Sequence, residues 1–259
     1  MNDTESAALA EALATARLSG ATVGAQSAVP SLAEAYAIQA DVAARLDSSP
    51  VGWKVGSTSI EAQQRLGTTQ PGAGRLLKRF CFPDGAEVPV FTDHDVQVEV
   101  EFAFRIGATL PPRASPYDQA EIAGAVASFI PAFELVGTRF AAGLAGAGRE
   151  LVTADGGANI AFVAGPECAL GDVDLAASPC ELQINGERVA AGQGSRALGH
   201  PFVVLTWLAN FLRERDRALE AGEVVTTGTC TGLEYVKPGD HLLGDFGALG
   251  QVHAHIVAG

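Results

Sequence analysis

The feature that most constrains the fold of this chain is an alternation of apolar and polar residues over positions 96–106. Alternation with a period of two is typical of a β-strand, whose successive side chains point to opposite faces. One face is expected to join a core through its apolar residues: Val96, Val98, Val100, Phe102, Phe104 and Ile106. The opposite face carries Gln97, Glu99, Glu101, Ala103 and Arg105. The two glutamates are therefore expected to point the same way.

Glu99 and Glu101 are candidate metal ligands. Residues two apart on a strand have α-carbons about 6.5 to 7 Å apart, so both carboxylates can reach one hard cation that prefers oxygen ligands. The alternative is a half-buried strand whose outer face is solvated, and this strand taken alone favours that alternative. A third carboxylate, Glu134, lies in the mostly apolar run 129–137, where an unpaired charge is costly to bury. Either a metal ion or an ion pair with Arg139 explains it.

Lys54 lies in a second short strand pattern, residues 51–56, on the face that it shares with Gly52 and Gly56. A lysine flanked by glycines has room above it for a ligand, and it can supply a charge or, if its pKa is lowered, a proton. The alternative is a solvated lysine on an edge strand. The pattern alone favours neither interpretation.

Composition and charge narrow the class of protein. The 259 residues are 47% hydrophobic and 18% charged, as in an ordinary soluble globular protein. The net charge of −13 argues against a nucleic-acid partner and favours a small substrate bridged by a metal. The residues at the N-terminus predict no signal peptide, and no stretch predicts a membrane span. The cysteines form no CxxC pair and are expected to be reduced thiols of a cytoplasmic protein: Cys81, Cys168, Cys180 and Cys230.

The order of the predicted elements indicates the fold class. Helical patterns at residues 5–18 and 32–46, joined by a polar linker over 19–30, predict an N-terminal cap. Strand patterns cluster after residue 80 and do not alternate regularly with helices, which favours an α+β fold over a doubly wound parallel sheet. We expect residues 1–80 to form a helical cap with the lysine strand, and residues 81–259 to form a β-rich catalytic core.

Three polar or glycine-rich stretches are interpreted as loops or turns. Residues 70–74 are expected to form a loop, and residues 143–148 are expected to be flexible enough to move over a site. Asp155 and Asn159 are interpreted as turn formers that hydrogen-bond their own backbone, with a place in a ligand pocket as the lesser alternative.

Six pieces of the chain, in this order, form a specific pattern: residues 52–59, 99–101, 131–139, 154–155, 198–201 with 207–209, and 221–228. Together they resemble the fumarylacetoacetate hydrolase superfamily, and more closely its branch of 2-keto-4-pentenoate hydratases and 4-oxalocrotonate decarboxylases. The resemblance covers nearly the whole chain. It implies a mixed β-roll with an N-terminal helical cap, and a homo-oligomer.

The resemblance also implies a site. It identifies Glu99, Glu101 and Glu134 as ligands of Mg²⁺ or Mn²⁺, and it places Lys54 beside the metal and the substrate as the catalytic residue. Contacts with the substrate, a small 2-oxo or 2-hydroxy acid, are expected from Thr58, Thr227 and Gly228.

The leading functional prediction is a Mg²⁺-dependent hydro-lyase that hydrates a short 2-hydroxy or 2-oxo dienoate in aromatic-ring catabolism, alone or in complex with a pathway enzyme. The first alternative is a carboxy-lyase that decarboxylates a 4-oxalocrotonate-like 2-oxo dioate. The second is a non-catalytic partner subunit. Hydratases of this branch carry an acidic residue where this chain has Gly72, and this departure keeps both alternatives open.

Overall fold

The computed structural model describes residues 1–24, 29 and 31–259. The helices of this part of the chain are α1 (Asp3–Ser19), α2 (Leu32–Arg45), α3 (Ile60–Arg65), α4 (Gln119–Ala125), α5 (Gly143–Ala154) and α6 (Pro201–Arg213). Its strands are β1 (Pro50–Gly56), β2 (Gly72–Leu77), β3 (Cys81–Pro83), β4 (Ala86–Val90), β5 (Gln97–Ile106), β6 (Val126–Val136), β7 (Asn159–Ala164), β8 (Pro179–Ile184), β9 (Glu187–Gln193), β10 (Val224–Thr229), β11 (Glu234–Tyr235), β12 (His241–Asp245) and β13 (Gln251–Ala258).

The strands form two mixed sheets. The larger sheet has the order β2-β1-β10-β5-β6-β7-β3, with β11 also paired to β5, and the smaller has the order β4-β13-β12-β8-β9. The main apolar core lies between them, where the ring of Phe246 contacts those of Phe102 and Phe129 at centroid distances of 5.2 and 5.5 Å. Mixed sheets with segregated helices confirm the predicted α+β class.

Strand β5 lies inside the larger sheet, between β10 and β6, and it confirms the alternation in the sequence. Its apolar face is fully buried at Val98, Val100 and Phe102. The opposite face is buried too, since Glu101 and Ala103 have no exposed area. The cluster that contains Ala103 on this second face is Leu76, Ala103, Ile130, Ala132, Phe162 and Val224. The alternative of a solvated outer face is therefore wrong at Glu101.

Helices α1, α2 and α5 pack together over one end of the larger sheet and confirm the N-terminal helical cap. Helix α2 begins at Leu32 because the Ser31 hydroxyl accepts a hydrogen bond from the backbone N–H of Glu34, at 3.3 Å. Leu13 and Ile38 belong to the apolar cluster that these helices share. Arg17, in the last turn of α1, reaches from this cap toward β7.

The loop interpretation is wrong for residues 72–74 and for residues 143–148, while movement of residues 143–148 stays a prediction. Strand β2 begins at Gly72 and pairs with β1, because the small residues of this stretch allow close packing. A Cβ atom on Gly74 would lie only 2.3 Å from the carbonyl oxygen of Gly156. Residues 143–148 belong to α5, which is kinked at Gly148 with φ of 72°. Packing of α5 in the cap outweighs the low helix propensity of its glycines.

The structure also bears on the predictions about membrane spans, cysteines, the linker and the domain division. No helix of the described residues is long and apolar enough to cross a membrane. All four cysteines are free thiols. Residues 25–28 and 30 of the predicted linker lie outside the described residues. The division of the chain at residue 80 stays a prediction; β1, which precedes that point, pairs directly with β10 of the core sheet.

Candidate metal centre and active site

A cavity of about 420 Å³ opens between the larger sheet and the helical cap. Its described lining contains four charged side chains, on four different elements or turns: Lys54, Asp95, Glu99 and Arg149. The remainder is largely apolar or glycine. The cavity therefore offers a small ligand a few charged groups against an apolar wall, as small-molecule sites usually do.

The three predicted metal ligands meet at the floor of this cavity. Glu99 of β5 lies directly opposite Glu134 of β6 in the strand register, and Glu101 follows two residues along β5. One carboxylate oxygen of each lies within 4.8 Å of the others. Glu99 is half-buried and faces the cavity, whereas Glu101 and Glu134 are fully buried.

Two carboxylate oxygens at this floor have no hydrogen-bond partner among the described residues. Glu101 accepts a hydrogen bond from the backbone N–H of Gly228 through Oε2, at 2.7 Å, and leaves Oε1 unpaired. Glu134 accepts from Asn159 Nδ2 through Oε1, at 2.9 Å, and leaves Oε2 unpaired. A buried carboxylate oxygen without a partner is costly. A hard divalent ion takes oxygen ligands of this kind, so these residues fit Mg²⁺ or Mn²⁺.

The position of Lys54 excludes the solvated-lysine interpretation. Its strand, β1, lies between β2 and β10, and its side chain is only 3% exposed. Its Nζ lies 3.1 Å from Glu134 Oε1. Glycines at positions 74 and 157 allow this approach, since a Cβ on either would lie 3.1 to 3.2 Å from Lys54 Cδ. Lys54 is thus held beside the carboxylates and at the cavity wall.

Burial and mutual repulsion change the acidity of the whole cluster. Burial raises the pKa of Glu99 to about 7, and the charge of Glu134 adds to this rise. Burial and the charges of Glu134 and Glu99 raise the pKa of Glu101 well above its ordinary range. Burial alone would lower the pKa of Lys54, but the charges of the three glutamates outweigh burial and raise the pKa. The metal-free protein is therefore expected to hold a charged lysine and partly protonated carboxyls.

The candidate substrate contacts lie behind the carboxylates, outside the described lining of the cavity. Thr227 Oγ1 donates to the carbonyl oxygen of Phe102 at 2.7 Å. Thr58 packs against Gly228 so closely that a Cβ on that glycine would lie 1.7 Å from Thr58 Oγ1. In this arrangement Gly228 positions Glu101 through its backbone N–H. Substrate contact by Thr58, Thr227 and Gly228 stays a prediction.

The rival ion pair between Glu134 and Arg139 does not form. Arg139 donates from Nε to Asp155 Oδ1 at 2.5 Å, and it also donates from Nη1 to the carbonyl oxygen of Asn159 at 2.9 Å. Asp155 is therefore the buried counter-ion of Arg139. It accepts from the backbone N–H of Arg139 and from the hydroxyl of Thr138 as well, rather than acting as a simple turn former.

Asn159 orients the carboxylate of Glu134, a role that the sequence pattern does not indicate. Its Oδ1 accepts from Arg17 Nη2 at 2.8 Å, and its Nδ2 donates to Glu134 Oε1. The guanidinium has only N–H donors, so it fixes which end of the Asn159 amide points to Glu134. The turn interpretation of Asn159 is wrong. Its partners are distant in sequence, 142 and 25 residues away, which no local pattern reveals.

Removal of the Asn159 amide is expected to weaken metal binding about tenfold, the lower end of the effect usual for groups that orient metal ligands. Asn159→Ala takes away the hydrogen bond that holds Glu134 Oε1, so that carboxylate is no longer held in one orientation. Titration calorimetry with Mn²⁺ measures the change, and Asn185→Ala, in the turn between β8 and β9, is the matched control. Equal Mn²⁺ affinity in Asn159→Ala and the unaltered protein would contradict this role.

Metal binding is expected to release protons. At pH 7 the raised pKa values of Glu99 and Glu101 keep protons on the metal-free cluster, whereas a bound divalent ion requires the ionised form. Affinity for Mn²⁺ should therefore increase as pH rises through 7. Calorimetry in buffers of different ionisation enthalpy counts the protons. Binding without proton release, together with an affinity independent of pH from 6 to 8, would be the opposite result.

Sequence comparison identifies the family that this fold and site represent. A profile of the fumarylacetoacetate (FAA) hydrolase C-terminal family matches residues 29–257. The chain belongs to this family.

Individual relatives indicate which branch of the family the chain resembles. The chain is 33% identical over 214 residues to a 2-keto-4-pentenoate hydratase of Paraburkholderia xenovorans (strain LB400), which covers 80% of this chain and 77% of the relative. It is 32% identical over 232 residues to a 4-oxalocrotonate decarboxylase of Pseudomonas putida, covering 87% and 85%. A solved structure of 4-oxalocrotonate decarboxylase from Pseudomonas putida G7, complexed with magnesium and adipate, superposes with a TM-score of 0.90 at 28% identity and covers 99% of each chain.

These relatives confirm the predicted family, its fold and the branch that contains both names. Hydratases and decarboxylases are both lyases, so the predicted enzyme class is confirmed as well. The solved decarboxylase is complexed with magnesium in one structure and with calcium in another, which is consistent with the predicted divalent cofactor.

Proposed function

We propose that this protein is a divalent-metal-dependent lyase that acts on a short unsaturated 2-oxo or 2-hydroxy acid. The observation that carries the proposal is the cluster of Glu99, Glu101 and Glu134, with two unpaired buried oxygens, beside the amino group of Lys54. Relatives with hydratase and decarboxylase names, similar over most of the chain, support it.

Each group of residues at the site has a separate role in the proposed reaction. Glu99, Glu101 and Glu134 would hold Mg²⁺ or Mn²⁺. When bound, the ion supplies a Lewis acid that stabilises negative charge on the C2 oxygen of the substrate. Lys54, charged and at the wall of the cavity, would bind the substrate carboxylate and donate a proton to the carbon framework. The apolar walls exclude water and strengthen these electrostatic interactions.

Two reactions develop negative charge on the C2 oxygen that a metal held by these residues would stabilise. In hydration, ketonisation is followed by addition of water at C4. In decarboxylation, the bond to a carboxylate breaks, carbon dioxide leaves, and a proton replaces it. Decarboxylation is favoured by the residue at position 72. Gly72 lines the cavity there and supplies no acid to act on water. Asp95 is the one described carboxylate of the lining besides Glu99, and it is exposed.

A turnover assay distinguishes the candidates. The purified protein, loaded with Mg²⁺, is mixed with 2-hydroxypenta-2,4-dienoate or with 4-oxalocrotonate. Ultraviolet absorbance follows loss of the conjugated substrate, and carbon dioxide release identifies decarboxylation. Turnover of neither compound by protein with one bound metal per chain would contradict the lyase proposal and favour the non-catalytic subunit.

We also propose the cellular setting that the family resemblance implies: a cytoplasmic homo-oligomer that works in aromatic-ring catabolism, with a pathway enzyme as a partner protein. Four free thiols, two of them buried, are compatible with a reducing compartment. Light scattering coupled to size-exclusion chromatography measures the subunit number, and a monomer would contradict the homo-oligomer.

A further inference from the structure

Arg149 is a cation in the cavity wall that the proposed reaction does not use. It lies in α5, just after the kink at Gly148, and its side chain is half-buried. Its guanidinium has no hydrogen bond and no ion pair within the described residues, whereas the other cation of the described lining, Lys54, is paired with Glu134. Guanidinium groups bind carboxylates through two parallel hydrogen bonds, so Arg149 has unused binding capacity inside the cavity.

Gly72 lines the same cavity as Arg149 and lies beside Tyr36. The Tyr36 hydroxyl accepts a hydrogen bond from the backbone N–H of Ala73 at 3.1 Å, and a Cβ on Gly72 would lie 3.9 Å from the same hydroxyl. Gly72 and Arg149 therefore belong to the lining of one cavity.

Glycine at position 72 also affects the charge of this cavity. An acidic side chain at position 72 would add a negative charge to the cavity that Arg149 also lines. With glycine at that position, no described carboxylate of the lining pairs with Arg149, and the carboxylate of a ligand can do so.

We infer that Arg149 forms a subsite for a second carboxylate, and that the physiological substrate is a 2-oxo dicarboxylate rather than a monocarboxylate. The subsite rests on the proposed function, since the 2-oxo acid end of the ligand is taken to bind at the glutamate cluster and Lys54. The distal carboxylate then pairs with Arg149 across the same cavity.

The kinetic signature follows from where the charge goes during the reaction. If the distal carboxylate is the one lost, its negative charge leaves it as carbon dioxide forms. Arg149 then binds the substrate more strongly than the transition state. Arg149→Met is expected to raise KM by about tenfold while kcat is unchanged or increases, a split that a loss of folded protein cannot produce.

Binding of two matched acids tests the subsite. 2-Oxoadipate and 2-oxohexanoate have six carbons and the same 2-oxo acid end, and they differ in the distal carboxylate. Calorimetry with Mg²⁺-loaded protein is expected to show at least about tenfold tighter binding of 2-oxoadipate, the effect of one good charged hydrogen-bond pair. In Arg149→Met this preference should disappear, with the affinity for 2-oxohexanoate unchanged.

Two further variants sharpen the test. Arg215→Met is the matched control, because Arg215 is exposed and lies outside the described lining of the cavity; it should keep the preference. Gly72→Asp adds a negative charge to the same cavity and should reduce the preference, and the space around position 72 accepts a side chain.

The outcomes separate the two proposals. A preference for 2-oxoadipate that survives in Arg149→Met overturns the subsite and leaves the lyase proposal intact. Equal binding of both acids by the unaltered protein also overturns the subsite and leaves the lyase proposal intact. Binding of neither acid by metal-loaded protein overturns the proposed function, and the subsite with it.

Discussion

Glu101→Gln is expected to lower the affinity for Mn²⁺ by more than about 100-fold, and turnover with it, because loss of a ligand exceeds the 10- to 100-fold effect of groups that merely orient one. Glutamine has nearly the same shape, and its amide oxygen can still accept the hydrogen bond from the N–H of Gly228. The substitution therefore removes a charge and a strong oxygen ligand with little disturbance of packing. Titration of Mn²⁺ by calorimetry and assay of turnover measure the two effects.

The matched control for this variant is Glu87→Gln. Glu87 is an exposed glutamate of β4, in the smaller sheet, and its replacement should change neither metal affinity nor turnover. Metal affinity and activity in Glu101→Gln equal to those of the control would rule out Glu101 as a ligand.

Lys54→Met is expected to reduce turnover about 1,000-fold, within the range for loss of a group that moves a proton in the transition state. Its effect on the metal should be opposite to that of Glu101→Gln. Lys54 is the cation that pairs with Glu134 when metal is absent, and it competes with the ion for that carboxylate. Its removal should leave affinity for Mn²⁺ unchanged or increase it, while the metal-free protein becomes less stable because Glu134 is left buried and unpaired.

Thermal unfolding with and without Mn²⁺ completes this comparison. A larger rise in Tm on addition of Mn²⁺ is expected for Lys54→Met than for the control Lys78→Met, at an exposed position. Turnover near that of the unaltered protein in Lys54→Met would contradict the catalytic role.

Part of the site could be predicted because its geometry is local. The period of a strand places Glu99 and Glu101 on one face whatever surrounds them, and the structure bears out that placement. Glu134 could be singled out because a carboxylate in an apolar run needs a cation. That it lies directly opposite Glu99 depends on the register of β5 with β6, which residues far apart in the chain determine together.

The remainder could not be predicted because it depends on contacts between distant segments. The second buried face of β5 arises when neighbouring strands and the helical cap cover it, and strand periodicity says nothing about such a cover. The orientation of Asn159 depends on Arg17 from the N-terminal helix. Glycines suggested loops at residues 70–74 and 143–148, whereas close packing, as between Gly74 and the carbonyl of Gly156, requires small residues in regular structure as well.

The most direct test of the central claim, a divalent ion held by three glutamates for chemistry on a 2-oxo acid, is an anomalous-scattering map from crystals grown with Mn²⁺ and oxalate. We expect one strong peak among Glu99, Glu101 and Glu134, with oxalate bound to the Mn²⁺ ion on the side of Lys54. A map with no peak at these carboxylates, or with Mn²⁺ held by other residues, would contradict it.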